Sequence, residues 1–208
     1  MLRLFGPLLL SLLSPSVLAC DCLWQGPFKA VYDNADLLAH VRVEATKGNS
    51  ADLRLLETLS GKEYREDIRL WADTGELCRP EIDQFSEGSE WVIAAQRIDT
   101  PPEDSFNPFK PNISFGRRGD YFLSSCGVYW LPVKGGRVSG NILTATRWQY
   151  LDPKKTPVIM PLFYQWLNGE VSDATLNEAV RPQPASRQLL NDTKIFLWQL
   201  ERERRETE

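Results

Sequence analysis

The sequence predicts a mainly β domain followed by helices, and three observations carry that reading. Hydrophobic residues recur with a period of two through most of Ala35 to Gly140, turn-forming clusters interrupt that stretch at short intervals, and a proline-punctuated pattern with helical periodicity replaces it after Thr144. Short strands at regular spacing suit a small barrel or a sandwich, and closure into a barrel is the more economical way to remove exposed strand edges at this length.

Taken in order, Leu37, Ala39, Val41, Val43 and Ala45 alternate with Asp36, His40, Arg42 and Glu44, the pattern of a half-buried strand. Lys47-Gly48-Asn49-Ser50 has turn chemistry, Leu53 to Leu59 reads as a second strand, and Ser60-Gly61-Lys62 closes it. Ile68, Leu70 and Ala72 mark a third strand ended by Asp73-Thr74-Gly75, and Glu90 to Gln96 a fourth. Residues 98–112, rich in Pro, Asp and Asn, read as a long surface loop. Tyr121 to Cys126 and Val128 to Val133 are strand-like, and Lys134-Gly135-Gly136 turns the chain into a last strand from Arg137 to Leu143. Beyond it, Pro161 to Gly169 starts a short helix with proline near its first turn. Ser186 to Glu206 forms a longer helix with Leu189, Leu190, Ile195, Phe196, Leu197 and Leu200 as its apolar face and a charged end from Glu201 to Glu206. The expected organisation is residues 1–19, then a barrel over 20–144, then a helical extension over 145–208 packing on the barrel.

Residues 1–19 read as a secretory signal. Arg3 supplies a positive charge, Leu4 to Leu13 is almost wholly apolar, Ser14-Pro15-Ser16 breaks the run, and Val17 and Ala19 stand at the −3 and −1 positions of a cut before Cys20. The stretch is short for a membrane span, and no later window has the ~20 apolar residues that crossing requires. The junction Val17-Leu18-Ala19-Cys20 also resembles a bacterial lipobox, with Cys20 as a lipid anchor and Asp21 in the retention position, so a periplasmic or extracellular location has a membrane-anchored lipoprotein as its alternative.

All four cysteines, Cys20, Cys22, Cys78 and Cys126, follow that junction. An even count in an exported chain reads as two disulfides with three possible connectivities. Cys78 and Cys126 lack the paired spacing of a structural zinc site, and the single His40 sits in an alternating strand pattern. The chain carries a net charge of −4, which becomes −5 once Arg3 leaves with the signal, and a mildly acidic surface argues against nucleic acid as a partner. No nucleophile elbow, phosphate loop or His-containing metal motif is present, so no enzyme activity and no cofactor are expected; Glu87 and Glu90 read as solvated strand-end residues. Trp130, Trp148, Tyr150 and Trp166 are core residues first and partner-surface residues second. Arg118-Gly119-Asp120 matches an integrin-binding tripeptide, and Asn112-Ile113-Ser114 and Asn191-Asp192-Thr193 are formal glycosylation acceptors.

One further pattern spans residues 20–140. The region starts Cys20-Asp21-Cys22, enters its first strand through Tyr32-Asp33-Asn34-Ala35-Asp36, and ends its second at Ser60-Gly61-Lys62. A lone Cys78 precedes the Glu87-Gly88-Ser89 turn and the Trp91 to Ala95 strand, and Tyr121-Phe122-Leu123-Ser124-Ser125-Cys126 closes the series. In this order the landmarks resemble the N-terminal domain of the tissue inhibitors of metalloproteinases, a netrin-like module on a five-stranded OB-type barrel.

The resemblance implies bridges Cys20–Cys78 and Cys22–Cys126. It also implies a function as a metalloprotease inhibitor, in which the main-chain amine and carbonyl of Cys20 chelate the catalytic zinc of the partner. Cys20, Asp21, Cys22, Glu76, Leu77, Cys78 and Arg79 would then form the protease-binding ridge, with Asp21 aimed at the specificity pocket. The chain departs from the family in carrying Asp33 where a third disulfide begins, a helical segment in place of a Cys-rich second domain, and a charged residue at Asp21. A carboxylate there calls for a protease with a polar or basic pocket, because burying an unpaired charge is costly. The alternative function is a netrin-like binding or scaffolding module of the cell envelope with no protease target.

Overall fold

A computed structural model describes residues 22–102, 114–145, 157–180 and 184–207. The signal expected over residues 1–19, Cys20, Asp21, Trp148 and Tyr150, and most of the loop expected over 98–112 lie outside them.

Five strands close a barrel. β1 (Leu37–Lys47) and β2 (Ser50–Gly61) form a long hairpin, and β3 (Asp67–Trp71) continues the meander. β4 (Glu90–Arg97) returns antiparallel to β1, pairing Leu37 with Ala95 through Arg42 with Glu90. β5 (Tyr121–Phe122) closes the gap by lying parallel to β3 and antiparallel to the end of β4. The closed order β1-β2-β3-β5-β4-β1 is that of an OB-type Greek-key barrel. The expected mainly β barrel with C-terminal helices is therefore present.

The hairpin turn is the one the sequence announces. Lys47 faces Ser50 across Gly48-Asn49, and Gly48 takes φ +61°, which costs glycine little. Asn49 is buried, and its amide is satisfied on three sides: Nδ2 donates to the carbonyls of Ala72 and Ser114, and Oδ1 accepts from Ser114 N. At the other end of β2, Gly61 has φ +90°, and a Cβ there would stand 2.2 Å from the Asp36 carbonyl oxygen. Glycine lets the end of β2 touch the entry to β1.

Alternation fails on β1 at Leu38, buried between Leu37 and Ala39, and again at Ala45. Ala45, expected to face inward, is exposed, because the register slips between Val43 and Ala45 and shifts the remaining residues off the core face. The strand expected over Tyr121 to Cys126 stops at Phe122, and that expected over Val128 to Val133 becomes β6 (Trp130–Lys134). β5 and β6 are two parts of one path along the same edge of β4: Phe122 faces Gln96, and Trp130 faces Ile93. Residues 123–129 bulge out between them. The expected Arg137 to Leu143 strand is cut to β7 (Arg137–Val138), because the carbonyls of Asn141 and Ile142 accept instead from Phe28 N and Lys29 N at 3.1 and 2.9 Å. β8 (Val158–Ile159) pairs with β7.

The helices cap one side of the barrel. α1 (Phe28–Val31) is a single turn, and α2 (Met160–Leu167) carries Pro161 in its first turn as expected. Phe28, Tyr32, Phe163 and Trp166 stack on one another with ring centroids 5.6–5.9 Å apart. Phe28, Phe163 and Trp166 share one buried cluster with β4, in which Val92, Ile93, Ala94 and Ala95 are consecutively buried. Trp130 and Trp166 are core residues. α3 (Asp173–Val180) adds buried Leu176, and Trp166 Nε1 donates to Asp173. α4 (Pro184–Thr207) extends the helix expected over Ser186 to Glu206 by a few residues, and its Ile195, Phe196, Leu197 and Trp198 are 54–58% exposed. No helix among the described residues is long and apolar enough to cross a membrane.

Candidate functional site: a sulfur-pinned N-terminal ridge

Three separate pieces of chain meet where the bulge 123–129 leaves the β4 ladder. The first is the extended segment Cys22–Gly26. Cys22 is bonded to Cys126 across a Cα–Cα distance of 5.8 Å, the pairing the family resemblance implies. Gln25 N donates to Cys126 O at 2.7 Å, Val128 N donates to Gly26 O at 3.0 Å, and the Tyr129 hydroxyl donates to Gln25 Oε1 at 2.6 Å. A side chain at Gly127 would meet Val31, Tyr129 and Gln25 within 3.0–3.3 Å, so glycine is what lets the segment lie flat. The β5–β6 bulge is therefore a docking strip. Cys126 O and Val128 N turn from β4 to satisfy the N-terminal segment, while Tyr129 O still accepts from Ala94 N at 2.8 Å.

The second piece is the loop that carries Cys78. Asp73 shapes it: its Oδ1 accepts from Thr74 N and Leu77 N at 2.8 and 2.9 Å, an Asx turn that starts the loop. Ser125 N then donates to Cys78 O at 2.9 Å and ties this loop to the docking strip. The sulfurs of Cys22, Cys78 and Cys126 all lie within 4.8 Å of one another. Cys78 is also disulfide-bonded.

The residues assigned to the ridge divide by exposure. Glu76 is exposed, and Leu77, Cys78 and Cys22 are half-buried. Leu23, between the pinned Cys22 and half-buried Trp24, is 89% exposed. Arg79 turns inward rather than toward a partner. Its guanidinium lies over the Phe122 ring at 4.6 Å and donates to the Phe115 carbonyl at 2.8 Å, and burial pulls its pKa down to about 10, which leaves it charged at neutral pH. Arg79 thus braces the ridge from beneath. Sequence reasoning gave Leu23, Gln25 and Tyr129 no role at the ridge, and placed Asp73 only in a turn and Phe122 only in a strand; a leucine beside a cysteine was the readable signal.

Other polar features hold the barrel together. His40 Nε2 lies 3.2 Å from Glu90, and its Nδ1 is 3.4 Å from the Tyr164 hydroxyl. Glu90 also takes Arg42 at 2.7 Å, and the Arg42 hydrogen bond is the main cause that holds its carboxyl below the usual range. His40 is thus part of a strand-to-helix polar chain. In the Arg118-Gly119-Asp120 tripeptide, Asp120 accepts from Trp71 Nε1 at 2.9 Å and pairs with Arg65, so its carboxylate is committed to the barrel.

No family model, curated protein or solved structure matches this chain.

Proposed function

We propose that this protein is an exported inhibitor of a zinc metalloprotease, and that its N-terminal ridge is the part that enters the protease cleft. The observation that supports the reading is the clustering of three cysteine sulfurs from three chain segments within 4.8 Å. A catalytic zinc keeps one coordination position open to water or substrate. An α-amine with a pKa of about 7.7–8.0 is partly neutral at physiological pH and can fill that position. Chelation by the amine and carbonyl of Cys20 then requires the residues just after it to be held in place, since ordering a loose terminus on binding subtracts from affinity. The Cys22–Cys126 bond and the backbone bonds of Gln25 and Gly26 supply that hold. Leu23 offers an exposed apolar contact beside the pinned Cys22, and Asp21 directs the choice of protease toward one with a polar or basic pocket. The protein performs no reaction of its own in this reading.

The test compares inhibition of a panel of zinc proteases by the chain beginning at Cys20 and by the same chain with one added N-terminal Ala. Extension removes the free amine from the chelating position and should weaken inhibition by at least about 100-fold, the scale of roughly 3 kcal/mol. Equal inhibition by both proteins would contradict the mechanism.

The exposed Ile195, Phe196, Leu197 and Trp198 of α4 favour a second reading, a binding or scaffolding module of the cell envelope. In that case truncation after Val180 removes partner binding and the N-terminal Ala does not. Lipidation of Cys20 would belong with this second reading, because acylation consumes both the amine and the sulfur.

A further inference from the structure

Cys78 stands beside a disulfide to which it does not belong. Its sulfur lies within 4.8 Å of both sulfurs of the Cys22–Cys126 bond, and the Ser125 N to Cys78 O hydrogen bond holds its backbone next to that of Cys126. Cys126 is only 4% exposed, whereas Cys22 and Cys78 are half-buried. A reductant from solution is therefore shielded from the Cys126 sulfur, while Cys78 has it at close range from within the protein. Thiolates attack disulfide sulfurs through a mixed intermediate, and access together with thiolate fraction sets the rate.

We propose that Cys22, Cys78 and Cys126 form an internal disulfide-exchange centre, through which an exported dithiol oxidoreductase releases the N-terminal segment from the barrel. The exchange chemistry stands on the sulfur positions alone; its role as an off-switch rests on the reading of the ridge as the partner-binding element. In the first step the dithiol reductant becomes a disulfide, and the bond holding Cys78 takes up two electrons and two protons to give two thiols. Cys78 then loses its proton to solvent, and its thiolate attacks Sγ of Cys126. The Cys78–Cys126 bond forms as the Cys22–Cys126 bond breaks, and Cys22 leaves as a thiolate that takes a proton from water. This second step involves no net oxidation or reduction. Afterwards only the Gln25 and Gly26 backbone bonds and the Tyr129 hydroxyl hold the segment. A loosened segment must be ordered again before it can bind a partner.

The Cys20→Ser variant of the full mature chain isolates the second step, because three cysteines leave one thiol per molecule. The folded protein is held at set pH, quenched in acid, alkylated before unfolding and mapped by peptide mass spectrometry. The expected product is a Cys78–Cys126 pair with alkylated Cys22, forming about tenfold faster at pH 7 than at pH 6 as the thiolate fraction rises. Alkylation confined to Cys78 with an intact Cys22–Cys126 pair overturns the proposal. So does a Cys22–Cys78 pair with alkylated Cys126, since the segment would remain tethered. If the variant does not fold, the unaltered chain treated with one equivalent of a small dithiol is mapped in the same way, with the same product expected. The readout is bond connectivity, so failure of exchange leaves protease inhibition standing, and absence of inhibition leaves the exchange standing.

Discussion

The N-terminal segment Cys22–Gly26 and the α1–α2 cap are laid on the same barrel by different forces. The cap is held by side chains: Phe28, Phe163 and Trp166 are buried against one another and belong to the core cluster of the barrel. The segment is held by one disulfide and by backbone hydrogen bonds, and it leaves Leu23 almost fully in solvent. Apolar packing spends the side chains it uses. A covalent pin leaves them free to meet a partner, so the segment, not the cap, is suited to recognition.

That contrast can be broken from either side. The largest effect is expected from Cys22→Ser combined with Cys126→Ser, whose bridge spans a sequence separation of 104. The chain-entropy account assigns such a bridge about 5 kcal/mol, and denaturant unfolding should show a loss of that size together with loss of protease inhibition. Phe163→Ala empties a fully buried site in the cap and should cost about 3–5 kcal/mol. Well below its melting temperature, however, that variant should inhibit as the parent does. Gly61→Ala forces a Cβ to 2.2 Å from Asp36 O at φ +90°, and about 1–3 kcal/mol of strain should appear as a lowered unfolding midpoint with the ridge unaffected.

The acid limb of stability tests the barrel through one buried carboxyl. Glu63 is 5% exposed, and its pKa is lowered to about 2, first by hydrogen bonding from Arg65 and also by the Tyr121 hydroxyl. A depressed carboxyl stabilises the fold above its unfolded value of about 4.3, and that contribution disappears as pH falls from there toward about 2. Glu63→Gln should flatten stability across this window, read by urea unfolding at a series of pH values. The smallest effect belongs to the exposed Arg205–Glu201 pair on α4, where Arg205→Ala should change stability by no more than about 0.5 kcal/mol.

Much of the barrel was legible because β1 to β3 combine a two-residue period with marked turns and β4 is a short continuous apolar run. Lys47 to Ser50 and Ser60 to Lys62 fall where the register turns. The Cys22–Cys126 pairing was legible only through family resemblance, since spacing leaves three connectivities open. The interruption of β5 and β6 was hidden: Tyr121 to Val133 alternates in the same way whether its backbone pairs with β4 or with an incoming segment. α1 is one turn without a side-chain cap, and α3 has a mostly polar sequence, so neither carries a periodic signal. Ala45 was misplaced because a bulge is a backbone event that composition does not record. Arg79 was read as surface because its destination, the Phe122 ring, lies over 40 residues away in the chain.

The central claim is that a free Cys20 amine stands next to a disulfide-pinned segment, and intact mass of the protein from its native source with its N-terminus identified tests it most directly. The expected result is a chain beginning at unmodified Cys20 and lighter by four hydrogens than its fully reduced form. A mass increased by an acyl modification on Cys20, or an N-terminus at any other residue, would contradict the account.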